Sequence, residues 1–443
     1  MTYNDKRYTN YGLVFYEAGY WNEAELLQIR VSETRKRVFG EEHPDTLTSM
    51  GDLTSTYCKQ GRLKEAEQLG VQVSEMRKRV LGEEHPDTLM SMGNLMETYW
   101  SQGRWKEAEQ LGVQVSETRK RVLGEEHPDT LDSMGDLAST YCKQGRWKEA
   151  EQLEVQVLET RRRVLGEEHP YTLMTMGNLA STYLNQGRWK EAEQLGIQVS
   201  ETRKRVLGDE HPDTLASMGN LASTYSYQGR WKEAEQLGIQ VLETKKRVLG
   251  EEHPDTLASM GNLASTYWNQ GRWEEAEQLG IQVSETRKRV LGDEHPDTLM
   301  TMGNLASTYL NQGRWEEAEQ LGIQVLETRK RVLGEEHPHT LMTMGNLAST
   351  YRNQERWKEA EQLGIQVLET RKRVLGEEHP STLTIMGNLA LTYSDQRRWK
   401  EAEQLQVRVL ETRKRVLGEE HPHTLTSMSN LAHTLKYMAE VRK

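Results

Sequence analysis

Apolar positions along this chain recur with two nested periods. Within residues 169–210, Leu173, Met176, Leu179, Ala180 and Tyr183 fall at helical spacing across Pro170 to Asn185. They predict a helix with one apolar stripe. A second set, Trp189, Ala192, Leu195, Val199 and Val206, predicts a second helix from about Trp189 to Leu207. Gln186-Gly187-Arg188 lies between them as a turn. The ends carry matching signals. Pro170 suits the first helical position, where its missing N–H costs nothing. Glu191 and Glu193 early and Arg203-Lys204-Arg205 late suit the helix dipole, and Gly208 suits a C-terminal cap. At 1.5 Å per residue the two helices are roughly 24 and 30 Å long.

The longer period is set by His-Pro, at His43-Pro44 and then at His85, His127, His169, His211, His253, His295, His337, His379 and His421, always 42 residues apart. Residues 43–420 thus hold nine uninterrupted 42-residue units. Residues 1–42 form a degenerate first repeat, with Tyr11, Phe15 and Ala18 in its first helix and a second helix from Trp21. Residues 421–443 break the pattern at Ser429, Leu435 and Tyr437-Met438-Ala439-Glu440, as a lone closing helix would. Neither helix of a unit can bury its stripe alone, whereas stacked pairs build one continuous core. The expected fold is therefore all-α, a single solenoid of antiparallel helix pairs over 1–443.

Composition changes this picture little. Hydrophobic residues make up 35% and charged residues 28%, values that would suit disorder. Fixed apolar positions argue against it, and a repeat array has a high ratio of surface to core. A net charge of −11 disfavours sequence-independent nucleic-acid binding, which needs clustered positive charge. No apolar run approaches a membrane span, no signal-peptide pattern opens the chain, and the only cysteines are Cys58 and Cys142. These features point to no membrane and to a cytoplasmic, reducing compartment.

Leu179-Ala180-Ser181-Thr182-Tyr183 and Ala192 match the Leu-Gly-x2-Tyr…Ala pattern of tetratricopeptide repeats at the right offsets. Two features depart from it: the period is 42, not 34, and Gly196 replaces the usual Phe. The Tyr-x2-Gln-Gly-Arg-Trp-x-Glu-Ala turn argues against HEAT and armadillo repeats. The 42-residue form with Val-Leu-Gly-x-x-His-Pro-Asp-Thr resembles the kinesin light chain type of tetratricopeptide repeat. It resembles still more the arrays found C-terminal to nucleotide-binding domains in fungal NOD-like receptors. The resemblance implies a right-handed superhelix whose first helices line a concave groove, and a ligand-sensing role. No phosphate loop of the form G-x-x-x-x-G-K-[ST] occurs, so nucleotide hydrolysis does not carry over.

Comparing units with one another locates a candidate site. Variation concentrates at three first-helix positions, where Met90, Asp132, Met174; Trp100, Leu184, Trp268, Leu310, Arg352; and Tyr227 stand among smaller or different residues. Met174, Asn178, Ser181, Leu184 and Asn185 share one helical face, distinct from the stripe of Leu173 and Met176. The same face carries a ladder of Asn94, Asp136, Asn178, Asn220, Asn262, Asn304, Asn346 and Asn388, preceded by Asp52. An amide offers two donors and an acceptor, so the ladder suits either clamping of a peptide backbone or bonding between neighbouring helices. The expected partner is a protein or peptide in the groove; the alternative is a solenoid that self-associates into homo-oligomers.

Other recurring features read as structural. Equivalent histidines of stacked units are spaced by about 10 Å, too far to share a metal, so they are expected to start helices. The tryptophans that start the second helices, from Trp21 and Trp105 to Trp399, are expected in the core, Arg-Lys-Arg on solvated faces, and mid-helix Gly177 and Gly196 at close helix approaches. Cys58 and Cys142, two units apart, are not expected to pair. No nucleophile–base constellation recurs, so neither catalysis, a cofactor nor a metal is expected.

Overall fold

The computed structural model describes residues 3–441, and every element among them is an α-helix. Consecutive helices pack against each other from Tyr3 to Leu165 and again from Trp273 to Val441. The chain forms two compact units. One takes the residues up to Thr182 with Gln194–Asn220 and Gln240–Ala258; the other takes Tyr183–Glu193, Leu221–Ile239 and the residues from Ser259 on. In each 42-residue repeat an A helix is followed by a B helix. Pro170–Asn185 and Trp189–Leu207 form at the bounds the apolar pattern predicts. The last helix runs Pro422–Val441.

Local chemistry explains these bounds. The side chain of His43 caps its A helix: Asp45 N–H donates to His43 Nδ1 at 3.2 Å, and Pro44 fills the first helical position. The same bond recurs at His85, His127, His295, His337 and His379. It satisfies a backbone donor that the helix start would otherwise leave open. The threonine after this corner is wholly buried, and at Thr46, Thr172 and Thr340 its hydroxyl ties the corner to the preceding loop, as Thr172 Oγ1 donates to Gly166 O at 2.8 Å.

The core is modular. Leu47, Met50 and Val73 form one cluster, and Leu89, Met92 and Val115 the next. In the second unit Leu299, Met302 and Val325 repeat it, and Leu341, Met344, Leu383, Ile385 and Met386 join a larger one. Each fully buried Leu or Val contributes about 1.5–3 kcal/mol. Two expected core positions are not core. Val206 is 47% exposed, because it lies in the last turn of its B helix, beyond the reach of the neighbouring helix. Tyr11 is 51% exposed in the degenerate first helix.

The Arg-Lys-Arg cluster is three different devices, not one solvated face. Its first arginine is buried. Arg77 Nη1 donates to Asp87 O at 2.9 Å and Arg329 Nη1 to His339 O at 3.0 Å, stapling each B helix to the start of the next A helix. Its lysine pairs forward within the loop, Lys36 with Glu41 at 2.6 Å. Its last arginine pairs backward to the previous loop, Arg121 with Glu84 at 2.6 Å. The helical offset explains the difference: only the first of three adjacent residues faces the neighbouring helix.

The turn between A and B helices is a second network. Arg104 lies 4.3 Å from the Tyr99 ring centroid, bonds Glu67 of the previous repeat at 2.5 Å and bonds Glu107 at 2.9 Å. Gln102 Nε2 donates to Leu63 O at 3.0 Å. Arg314, Tyr309, Glu277 and Gln312 repeat this in the second unit. These bonds carry the junction, and the neighbouring tryptophan caps it from outside. Contrary to the expected core placement, Trp231, Trp273, Trp315 and Trp357 are 36–42% exposed, and Trp105, Trp147, Trp189 and Trp399 are half-buried.

Glycine also divides into two cases. In B helices the expected close approach is present: a Cβ on Gly112 would lie 2.9 Å from Met96 Sδ, and on Gly364 3.3 Å from Leu389 Cδ1. In A helices it occurs at Gly345, where a Cβ would lie 2.7 Å from Ile385 Cδ1, whereas a Cβ on Gly51, Gly93, Gly135 or Gly177 would meet nothing within 4 Å. These four glycines lie on the open side of the A helix, where no neighbour packs.

Candidate functional site

The A helices hold the candidate residues on the side away from the Leu and Met core. None of those residues is buried. In the first unit Met90 and Met174 are 43% and 40% exposed, and Asn178 and Asn220 are exposed. In the second, Tyr227 is 63% exposed and Trp268 37%, with Asn262, Asn304 and Asn346 exposed. Asn94, Trp100, Asp132, Leu184, Leu310, Arg352 and Asn388 are half-buried.

Neighbouring repeats join several of these side chains. In the first unit Lys143 Nζ lies 4.9 Å above the Trp100 ring, while the indole N–H of Trp100 is buried without a partner. Asp132 is already committed, because it pairs with buried Arg161. Thr48 occupies the same register position and accepts from Arg77 at 3.2 Å. Where Met90 or Met174 stands at that position, the side chain projects without such a bond. Water reaches Asp136, yet protein surrounds much of its carboxylate. That desolvation, then the charges of Asp132 and Glu97, pushes its carboxyl up to about 6. Desolvation likewise raises Asp52, against the lowering pull of Arg35 and Arg77.

In the second unit Asn269 Nδ2 donates to Ser226 Oγ at 3.2 Å, and Arg352 lies 3.5 Å from Asp395. Of the ladder, Asn346 is spent on Ser307 of the previous repeat, at 3.4 Å. The side-chain amides of Asn94, Asn178, Asn262, Asn304 and Asn388 bond no protein group among the described residues. Unspent amides on the side of a helix that is not buried can donate to and accept from an extended backbone laid across them. Among the described residues no three His, Cys, Asp or Glu side chains converge as metal ligands. No described helix is long and apolar enough to cross a membrane.

The tetratricopeptide repeat model matches residues 6–79, 55–121, 155–199, 171–247, 228–280, 255–331, 303–373 and 340–412, and a second model of that repeat matches 130–171. The chain belongs to the tetratricopeptide repeat family. No curated protein matches it. A Podosopora anserina protein of nearly identical TPR-like repeats, of kinesin light chain type, is 36% identical over 46% of this chain and 97% of its own, with a TM-score of 0.40. BtubC (BKLC) from P. vanneervenii is 18% identical over 52% of this chain and 92% of its own, TM-score 0.42. A Rap protein complexed with Competence and Sporulation Factor is 11% identical over 89% of this chain and 99% of its own, TM-score 0.50, a likeness of fold alone. Tetratricopeptide repeats are scaffolds for protein interaction, and this array is a helical repeat solenoid of that kind.

Sequence reading missed two groups at the repeat junctions. Glu154 and Gln406 stand where other B helices have glycine, each 3% exposed. Their departure from the column Gly70, Gly112, Gly238, Gly280 was visible in the sequence. Their burial was not.

Proposed function

We propose that this array is a non-catalytic scaffold that holds an extended stretch of protein along the open side of its A helices. The observation that carries it is the set of unspent amides, none of them buried, at Asn94 and Asn178 in the first unit and at Asn262, Asn304 and Asn388 in the second. A ladder built only to hold the stack would be consumed by neighbours, as Asn346 is. The amides would fix the backbone of the guest, and Met90, Trp100, Met174, Leu184, Tyr227, Trp268, Leu310 and Arg352 would select its side chains. The resemblance to receptor arrays supports a sensing role in a cytoplasmic NOD-like receptor setting.

The test is selection from a random peptide library with the native chain and with a variant carrying Asn→Ala at Asn94, Asn178, Asn262, Asn304 and Asn388. Circular dichroism should be unchanged, since none of these amides holds the fold. The variant should bind the selected peptides at least tenfold more weakly. Equal binding by a folded variant would assign the ladder no part in recognition.

A further inference from the structure

Near-identical repeats differ in exposure along this chain. The five corner prolines from Pro44 to Pro212 are exposed, and the five from Pro254 to Pro422 are half-buried. The turns show the opposite gradient. Trp105, Trp147 and Trp189 are half-buried, whereas Trp231, Trp273 and Trp315 are exposed. Sequence cannot produce this difference, because the residues are the same.

Two contacts show what fits these surfaces together. In the first unit, Pro254 Cγ lies 3.1 Å from where a Cβ would stand on Gly19. In the second unit, His421 Cδ2 lies 3.0 Å from that point on Gly187, and Pro422 Cδ lies 3.4 Å from it. Each is a His-Pro corner seated on a glycine turn. His421 Nδ1 accepts from His423 N–H at 3.1 Å, so Nε2 carries the proton and donates to the Asn185 backbone. The seat favours glycine twice over. The backbone is left-handed there, φ +79° at Gly19 and +76° at Gly187, and a Cβ would collide with the corner.

Gly229, Gly271 and Gly313 form the same turn, with φ between +74° and +78°, and nothing lies within 4 Å of a Cβ built on them. Beside the last of them a cleft of about 580 Å³ opens, lined by Arg314, Trp315, Glu317, Gln354 and Arg356. In the two turns that follow, Glu355 and Arg397 replace glycine at φ 61°, and both are exposed.

We propose that the exposed corners of one chain, from His43-Pro44 to His211-Pro212, seat on the open glycine turns Gly229, Gly271 and Gly313 of a second copy. The occupant is a second copy because the chain carries both halves of the contact and already joins them within each unit. The two surfaces differ, so the contact is heterologous and propagates head to tail instead of closing as a twofold dimer. This surface is separate from the amide ladder, and either can fail without the other.

The test is light scattering across a concentration series for the native chain and for the triple variant Gly229→Arg, Gly271→Arg, Gly313→Arg. The native mass should climb past that of two chains, and the variant should remain single. Arg397 shows that the turn admits arginine, so circular dichroism of the variant should match the native chain. The variant keeps its corners and lacks open turns, so adding it in excess to native chain should cap growth and shorten the assemblies. A native chain that is single at every concentration, one that stops at a closed dimer, or a variant that assembles like the native chain would overturn the proposal.

Discussion

Replacing Glu154 with glutamine should stabilise the protein at alkaline pH and leave it unchanged in acid. Glu154 is 3% exposed, and its Oε2 is buried without a hydrogen-bond partner. Thr182, whose hydroxyl also lies 3.1 Å from Cys142 Sγ, is the one hydrogen-bonding group that favours its charge. Burial, reinforced by Glu151, outweighs that bond and pushes the carboxyl up from 4.5 to about 7. The folded-state value lies above the unfolded one, so the penalty is a cost of ionisation inside the fold. It is absent below about pH 4.5, grows between there and pH 7, and is full above. A rise from 4.5 to about 7 corresponds to about 3 kcal/mol. Glutamine carries no charge to desolvate and keeps an acceptor for Thr182, much as Gln28 accepts from Thr56 at 2.6 Å. The assay is hydrogen exchange of amides in Trp147–Leu165, because a repeat array opens locally before it unfolds globally. After correction for intrinsic rates, the variant should exchange about a hundredfold more slowly near pH 8, and at the native rate near pH 4.5. A gain of the same size at both pH values would refute the ionisation argument, and no gain at pH 8 would refute the burial itself.

Two further outcomes follow from buried groups. Arg161→Ala should cost about 3–5 kcal/mol of local stability, since it strands the Asp132 partner and the Tyr171 carbonyl that Arg161 holds at 3.1 Å; Arg161→Lys should recover part of this, because Lys245 naturally reaches Asp255 O at 3.3 Å from the same position; urea titration of the three proteins decides it. Cys58 and Cys142 should resist iodoacetamide at neutral pH until the protein unfolds, because burial pushes both thiols up to about 11 and little thiolate exists; labelling of the native chain as fast as of the urea-unfolded chain would contradict it.

Much of this protein is written in local order. The 42-residue interval, the helix bounds at Pro170–Asn185 and Trp189–Leu207, and the capping role of the corner histidines all follow from neighbours a few residues apart. The face carrying Asn178 and Met174 was legible for the same reason, since residues at i, i+4 and i+7 share a side whatever surrounds the helix. What the tertiary structure decided depends on partners that no short window contains. Arg77 is a buried staple and Arg79 a surface ion pair, though only one residue separates them, because helix packing reaches one and not the other. Trp189 and Trp231 occupy the same place in the repeat, yet only the second is exposed. Gly187 is covered by His421, 234 residues away, while Gly271 is open. The local pattern repeats from unit to unit, but each unit's surroundings depend on where it stands in the stack, and burial is set by those surroundings.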